Sequence, residues 1–279
     1  MLARGPGLLQ TAVRGGHALG AFSTYNLELT QAIIAAAERM DRPVIVQAGS
    51  SAFSYAGREP LAAISLALAA SSRVQVGVHL DHSRDLGEIM ACIALGYTSV
   101  MIDGSAFPFD ENIAVSRSAV ALAHEAGVWV EGELGPIQGN EDASMETTSA
   151  PHLTDPNAVR TFVLETGVDA LAVAVGNVHG VTTDPVRIDF GRLKAIRDEC
   201  SVPLVLHGAS GLSDDVLRAV LRLGVAKINV NTELRRAYLD GLRNGLDTLK
   251  GDSIDAALRP GRDAAEQVVM RKLELLWPD

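Results

Sequence analysis

Cysteine is nearly absent: Cys92 and Cys200 are the only two in 279 residues. Two isolated thiols build neither a disulfide framework nor a zinc ribbon. Both fall in segments of helical pattern and read as small apolar residues. Positive charge is also short, with 24 Lys and Arg against 34 Asp and Glu, a net charge of −10. That balance argues against a nucleic-acid or anionic-membrane surface, both of which reward clustered cations. It leaves room for a small anionic substrate, which needs only a few local donors. No apolar run approaches the ~18 residues of a membrane span, and the opening MLARGPGLLQ is too short for a signal peptide. A cytoplasmic protein is the expectation. No linker or low-complexity tract interrupts the chain, so residues 1–279 read as one domain, and 47% hydrophobic residues suffice for a full core.

What is present is alternation. Short β-rich apolar runs at 18–22, 44–47, 74–80, 99–102, 128–133, 170–175, 203–207 and 227–230 predict strands. Segments of helical period at 28–40, 61–70, 86–95, 112–126, 156–166, 192–200 and 214–223 lie between them. Capping signals open several helices, as in Thr154-Asp155-Pro156 and Ser213-Asp214-Asp215, and Gly96, Gly127, Gly167 and Gly224 close others. Eight strands in strict alternation predict an α/β fold of the (β/α)₈ TIM-barrel type. Helices at 232–249 and 262–276 extend it at the C-terminus. The stretch 134–154 has neither period and reads as a lid or an unstructured loop.

In such a barrel the chemistry sits at the C-terminal ends of the strands. The unusual polar residues fall there. His79, Asp81 and His82 close strand three, Asp103 strand four, and Glu131 and Glu133 strand five. Asn177 and His179 follow strand six, His207 closes strand seven, and Asn229, Asn231 and Thr232 close strand eight. His17, His124 and His152 read as solvated bystanders on loops or helix surfaces. Three histidines at the ends of strands three, six and seven suit a divalent cation with an open position, Zn²⁺ among them. Gly180 and the run Gly208-Ala209-Ser210-Gly211 let backbone N–H groups approach an anion where barrels bind phosphate, with Asn231-Thr232 opposite. Of four lysines, Lys194, Lys250 and Lys272 read as helical, and Lys227 begins strand eight, away from the chemistry. A Schiff base is therefore not expected, which leaves a metal as the electrophile.

The motifs VHLDH, MIDGS, VEGELG, VGNVHG, LVLHGASG and KINVNTEL, in this order, resemble those of the class II, zinc-dependent fructose/tagatose-bisphosphate aldolase family. The resemblance runs from about Gly20 to Glu233 and more loosely through the C-terminal helix. It implies reversible cleavage of a ketose 1-phosphate or 1,6-bisphosphate into dihydroxyacetone phosphate and an aldehyde. By the same resemblance His82, His179 and His207 match the zinc ligands, and Asp81 matches the acid/base at the C4 hydroxyl. Glu141, in the GNED segment, matches the loop carboxylate that moves the C3 proton. Gly180, Gly208, Ala209, Ser210, Asn231 and Thr232 match contacts to the phosphate and ketone end, with Asn229 near the enediolate. Asp103 and Glu133 match carboxylates beside a second metal or a monovalent cation, and His79 a position just behind the ligands. Relatives are homodimers or homotetramers.

Strict alternation would send Asp81 and His82 to opposite faces of a strand, so the backbone is expected to leave extended geometry there. Two positions depart from the family pattern. Gly49 stands where Ser or Thr is usual. Ser253-Ile254-Asp255 stands where bisphosphate-cleaving relatives carry Asp-Pro-Arg. An acid at that point repels a second phosphate, which points to a ketose 1-phosphate, or a sugar or sugar-acid 1-phosphate, with an altered far end. Arg259 or Arg262 offers a substitute cation. Two other classes compete: a zinc barrel hydrolase, disfavoured because strand one ends without a His-x-His pair, and a non-catalytic sugar-phosphate binder, which needs neither Asp81 nor Glu141.

Overall fold

A computed structural model describes residues 1–137, 139, 153–180 and 186–278. Eight parallel strands close on themselves in sequence order. They are β1 (Leu19–Ser23), β2 (Val44–Ala48), β3 (Val76–Ser83), β4 (Ser99–Ile102), β5 (Trp129–Leu134), β6 (Ala170–Val173), β7 (Leu204–Leu206) and β8 (Val225–Val230). Around them run α1 (Gly7–Gly15), α2 (Leu27–Met40), α3 (Ser50–Ala56), α4 (Arg58–Ser71), α5 (Leu86–Leu95) and α6 (Phe109–Glu125). α7 (Pro156–Thr166), α8 (Phe190–Glu199), α9 (Asp214–Arg222), α10 (Thr232–Thr248) and α11 (Ile254–Leu276) complete the ring. This is the expected (β/α)₈ barrel. Among the described residues no helix is long and apolar enough to cross a membrane.

The capping chemistry works as the sequence suggested. The side chains of Asp155 and Ser213 accept from Asn157 N and Val216 N, each contact stabilising its helix by about 1 kcal/mol. Gly96 and Gly167 end α5 and α7 in the left-handed conformation.

Two apolar layers form. One lies between the strands and the outer helices. The other fills the barrel itself with Leu19, Ala21, Ile45, Met101, Trp129, Ala170, Ala172, Val205 and Ala226. α1, which the sequence pattern did not single out, joins this inner layer through Leu9 and Ala12. Leu9 is fully buried, worth about 1.5–3 kcal/mol, and α1 thereby plugs the end of the barrel remote from the polar residues.

Three expectations need correction. His17 is no bystander: its ring stacks on Trp277 at 4.6 Å. His124, by contrast, is exposed and bonds Asp169, and His152 lies outside the described residues. The terminal helix starts at Ile254, not at 262, and carries Pro260 inside it. Proline normally ends a helix, but Pro260-Gly261 here sits at a tight crossing with α10. A Cβ on Gly245 would stand 2.2 Å from Ala257 O, and one on Gly241 would stand 2.4 Å from Pro260 O. Close packing between α10 and α11 holds the helix through its proline. Finally, Lys227 does not begin a strand. β8 opens at Val225, and Lys227, which pairs with the inward Leu19 of β1 and shares the parity of Asn229, points into the barrel and is fully buried.

Candidate functional site

The polar end of the barrel is assembled from strand ends. At the end of β3 the backbone leaves extended geometry, as the adjacency of Asp81 and His82 required. His82 takes φ +46, and the pairing with β4 jumps from Leu80↔Val100 to Ser83↔Ile102. This bulge lets neighbouring side chains serve one site. A left-handed non-glycine residue costs of order 1–2 kcal/mol, so the surrounding contacts must hold it there.

Those contacts are specific. The ligand nitrogens of His82, His179 and His207 all lie within 4.8 Å of one another. His207 Nδ1 faces His82 Nε2 at 2.7 Å. The outer nitrogens of the same two rings face carboxylates: His207 Nε2 meets Glu131 Oε1 at 2.8 Å, and His82 Nδ1 lies 3.5 Å from Asp103 Oδ2. With a proton on each outer nitrogen, both inner nitrogens present lone pairs at short range. A divalent cation between them removes that repulsion, and backing carboxylates of this kind fix the imidazole tautomer for metal binding. Burial pulls His207 down to about 4, so the ring is neutral and available as a ligand.

The carboxylates differ among themselves. Burial opposes ionisation of Glu131, yet the Lys227 ammonium and the His207 N–H outweigh it and hold the carboxyl well below the usual range. Asp103 is buried too, but the His82 ring, Ser105 and Arg84 keep it ionised; Arg84 Nη2 donates to its Oδ2 at 3.0 Å. Glu133 goes the other way, pushed up to about 8 by burial and by the Asp103 charge. Its buried Oε2 has no hydrogen-bond partner among the described residues and lies 3.9 Å from His82 Nδ1. His82, Asp103 and Glu133 form a second group whose atoms could hold a cation.

Asp81 is 5% exposed and gripped from both sides. Gln47 Nε2 donates to Oδ2 at 2.8 Å, and Asn229 Nδ2 to Oδ1 at 3.1 Å. Charge-assisted contacts of this kind favour the carboxylate and fix its plane. His79 lies below, fully buried, with Nδ1 2.8 Å from Ser99 Oγ and its ring stacked on Trp129. Burial drives its pKa well below the ordinary value.

The glycine-rich turns meet as anticipated. Gly208 has φ +63, and a Cβ there would stand 2.3 Å from Val178 O, so the loops after β6 and β7 touch. Gly180, φ +87, follows His179 directly. Ala209 and Ser210 are buried, and Ser210 Oγ accepts from Glu233 N in the first turn of α10. Asn231 stands at the N-cap but makes no side-chain cap; its amide pairs instead with Tyr25 Oη. The N-terminus of a long helix beside a small-residue loop is a site for an anion. Thr232 is its first residue. A cavity of about 110 Å³ runs from Ser23, Thr24 and Tyr25 past residues 48–52 to Asp81, His82 and Asn231.

Glu141 lies outside the described residues. Gly139, two residues before it, backs onto the site: a Cβ there would lie 2.4 Å from His179 O. Gly49 also acquires a reason, since its Cβ would come within 2.7 Å of Asp81 O. Gly49→Ser should therefore push the Asp81 backbone and lower kcat about 10- to 100-fold with metal content retained, since small misplacements of a reacting group cost that much. Steady-state kinetics beside elemental analysis would show it, and an unchanged kcat would mean that the two strand ends separate freely.

Sequence reasoning gave no role to Gln47, Glu131, Asn177, Lys227 or Arg84. Asn177 accepts from Val175 N and donates to His207 O, tying the ends of β6 and β7 together. Alternation was the available signal, because Gln47 and Glu131 share the inward parity of Ile45 and Trp129.

Known proteins share this fold. The model of the family described as fructose-bisphosphate aldolase class-II matches residues 5–278. The crystal structure of the YdjI aldolase from Escherichia coli K12 is 34% identical at a TM-score of 0.88, covering 99% of this chain and 97% of that one. A candidate fructose-1,6-bisphosphate aldolase from Coccidioides immitis is 30% identical at 0.89, covering 98% and 96%. The fructose-bisphosphate aldolase of Campylobacter jejuni, 22% identical at 0.84 over 99% and 95%, shares the fold.

Proposed function

The chain belongs to the class II fructose-bisphosphate aldolase family, and on that premise we propose that it cleaves a ketose 1-phosphate to dihydroxyacetone phosphate and an unphosphorylated aldehyde. The enzyme is thus a lyase, and residues 1–279 read as one barrel unit. The observation that carries the reading is the convergence of three imidazoles beside Asp81, which is held by two amides, next to the N-terminus of α10.

His82, His179 and His207 would hold Zn²⁺, which supplies electrophilic stabilisation for the negative charge developing on the ketone oxygen. Asp103 and Glu133, which share His82, would hold a second or monovalent cation. Gly180, Gly208, Ala209, Ser210, Asn231 and Thr232 would receive the C1 phosphate at the start of α10. Asp81 takes the proton of the C4 hydroxyl as the C3–C4 bond breaks, and the bonding pair passes to C3 as an enolate, with Asn229 beside it. Glu141 then returns a proton to C3 from the segment after Gly139, completing dihydroxyacetone phosphate. In the aldol direction the same two carboxyl groups run in reverse.

The chemistry of α11 supports this choice of far end. Asp255 ion-pairs with Arg259, and Arg262 Nη2 lies 3.2 Å from Asp263 Oδ1. Both candidate replacement cations are thus engaged by neighbouring acids. We expect kcat/KM for fructose 1-phosphate to equal or exceed that for fructose or tagatose 1,6-bisphosphate in a coupled assay for dihydroxyacetone phosphate. A preference of more than about tenfold for either bisphosphate would overturn this choice of substrate and leave the reaction class standing.

A further inference from the structure

Lys227 takes no part in that chemistry, yet it lies fully buried directly beneath it. Its Nζ is 2.8 Å from Glu131 Oε2 and 2.7 Å from Asn229 Oδ1. Each partner reaches one step further. Glu131 Oε1 receives His207 Nε2, and Asn229 Nδ2 donates to Asp81 Oδ1. One ammonium therefore stands at the root of two branches, one ending on a candidate metal ligand and the other on the candidate acid/base.

We propose that Lys227 is a positioning residue that sets the working orientation of both His207 and Asp81. The inference rests on the aldolase reading above. The Asn229 amide has two orientations. With its oxygen on the ammonium, the NH₂ group faces Asp81. Flipped, it would set NH₂ against the ammonium and oxygen against the carboxylate, two repulsions between buried groups. On the other branch, the ammonium fixes Glu131 through Oε2, and Glu131 Oε1, 2.8 Å from His207 Nε2, takes that ring's N–H. The Nδ1 lone pair is then left for the cation. Stability alone is a poor account of the lysine, because replacing a buried ion pair with apolar groups of similar size is often neutral or stabilising.

The test compares Lys227→Met with the double variant Lys227→Met/Glu131→Gln. The double variant leaves no uncompensated buried charge and keeps an oxygen for His207 to donate to. For the single variant we expect Zn²⁺ affinity, measured by chelator competition, to fall about 10- to 100-fold. Its kcat on the preferred ketose 1-phosphate should fall by about 100-fold with KM within about threefold, as for a misaligned catalytic group. In the double variant metal affinity should recover to within about threefold of wild type, because His207 regains a fixed acceptor, while kcat stays low because Asn229 remains unanchored. Thermal unfolding confirms that the double variant is folded, and if the single variant is not, the double variant alone decides. Wild-type kcat in the folded double variant, or a loss confined to KM, would overturn the proposal. Failure of the wild-type enzyme to release dihydroxyacetone phosphate from any ketose 1-phosphate would instead sink the aldolase reading, and the affinity arm would still report on the His207 branch.

Discussion

Asp81→Ala should lower kcat for retro-aldol cleavage by about 10²- to 10⁴-fold, the span that a positioned general acid/base contributes. Metal content should be unchanged, because the three imidazole donors remain. Asp81 is held within hydrogen-bond reach of Gln47 and Asn229 and sits beside His82 on the same bulge. A carboxylate so placed lies next to whatever the His82, His179 and His207 group binds. Truncation leaves the two amide donors facing empty space, so some loss of stability accompanies the loss of rate, about 1–3 kcal/mol for the buried donors. The two effects separate cleanly by temperature: a kcat measured well below the unfolding transition reports chemistry alone. A sugar-phosphate binder with no lyase chemistry would show the stability loss and nothing else, and wild-type kcat in Asp81→Ala would sink the mechanism.

How far the sequence carried can be argued from particular elements. β4, α5 and α7 fall where periodicity and caps put them, since Gly96, Gly167 and Asp155-Pro156 are local signals read by local chemistry. α1 and the first two turns of α11 escaped for a different reason: their stability is tertiary. α1 exists to seat Leu9 and Ala12 against the inner layer, and α11 survives Pro260 because Gly241 and Gly245 admit its backbone. Neither cause is visible in a window of a dozen residues. Within the site, the residues at strand ends were legible because a barrel puts its chemistry there. The residues one step below were not. Lys227 looked misplaced because the strand was started at it and not at Val225, and Gln47 looks like an ordinary strand residue although its amide donates to Asp81. Alternation marks such residues as inward, but which amide meets which carboxylate is a three-dimensional fact with no local sequence signature.

Treatment with a strong chelator should abolish dihydroxyacetone phosphate release, and stoichiometric Zn²⁺ should restore it. The expected loss is at least about 10³-fold, corresponding to several kcal/mol of charge stabilisation at about 1.36 kcal/mol per decade. The cation should also be visible in stability, because the three imidazoles converge only in the folded chain. At a free concentration a thousandfold above Kd it adds about 4 kcal/mol, so the chelated protein should unfold roughly 10 °C lower. The fall in Tm has a structural cause beyond mass action. Without a cation, His82 Nε2 and His207 Nδ1 face each other at 2.7 Å, and one ring must bring a proton to that contact, by changing tautomer or by taking one up, or turn away. His207 resists protonation because it is buried, and turning it would forfeit its bond to Glu131. The change therefore falls on His82, the less buried of the two, whose left-handed backbone depends on its contacts. Loss of the metal should thus loosen the very bulge that sets Asp81 beside the site. His179→Ala leaves that facing pair in place, so it should weaken Zn²⁺ binding yet cost less stability than full chelation. Equal Tm losses in the two would show that the pair's repulsion is relieved some other way, and full activity in metal-free protein would end the metal-centred reading altogether.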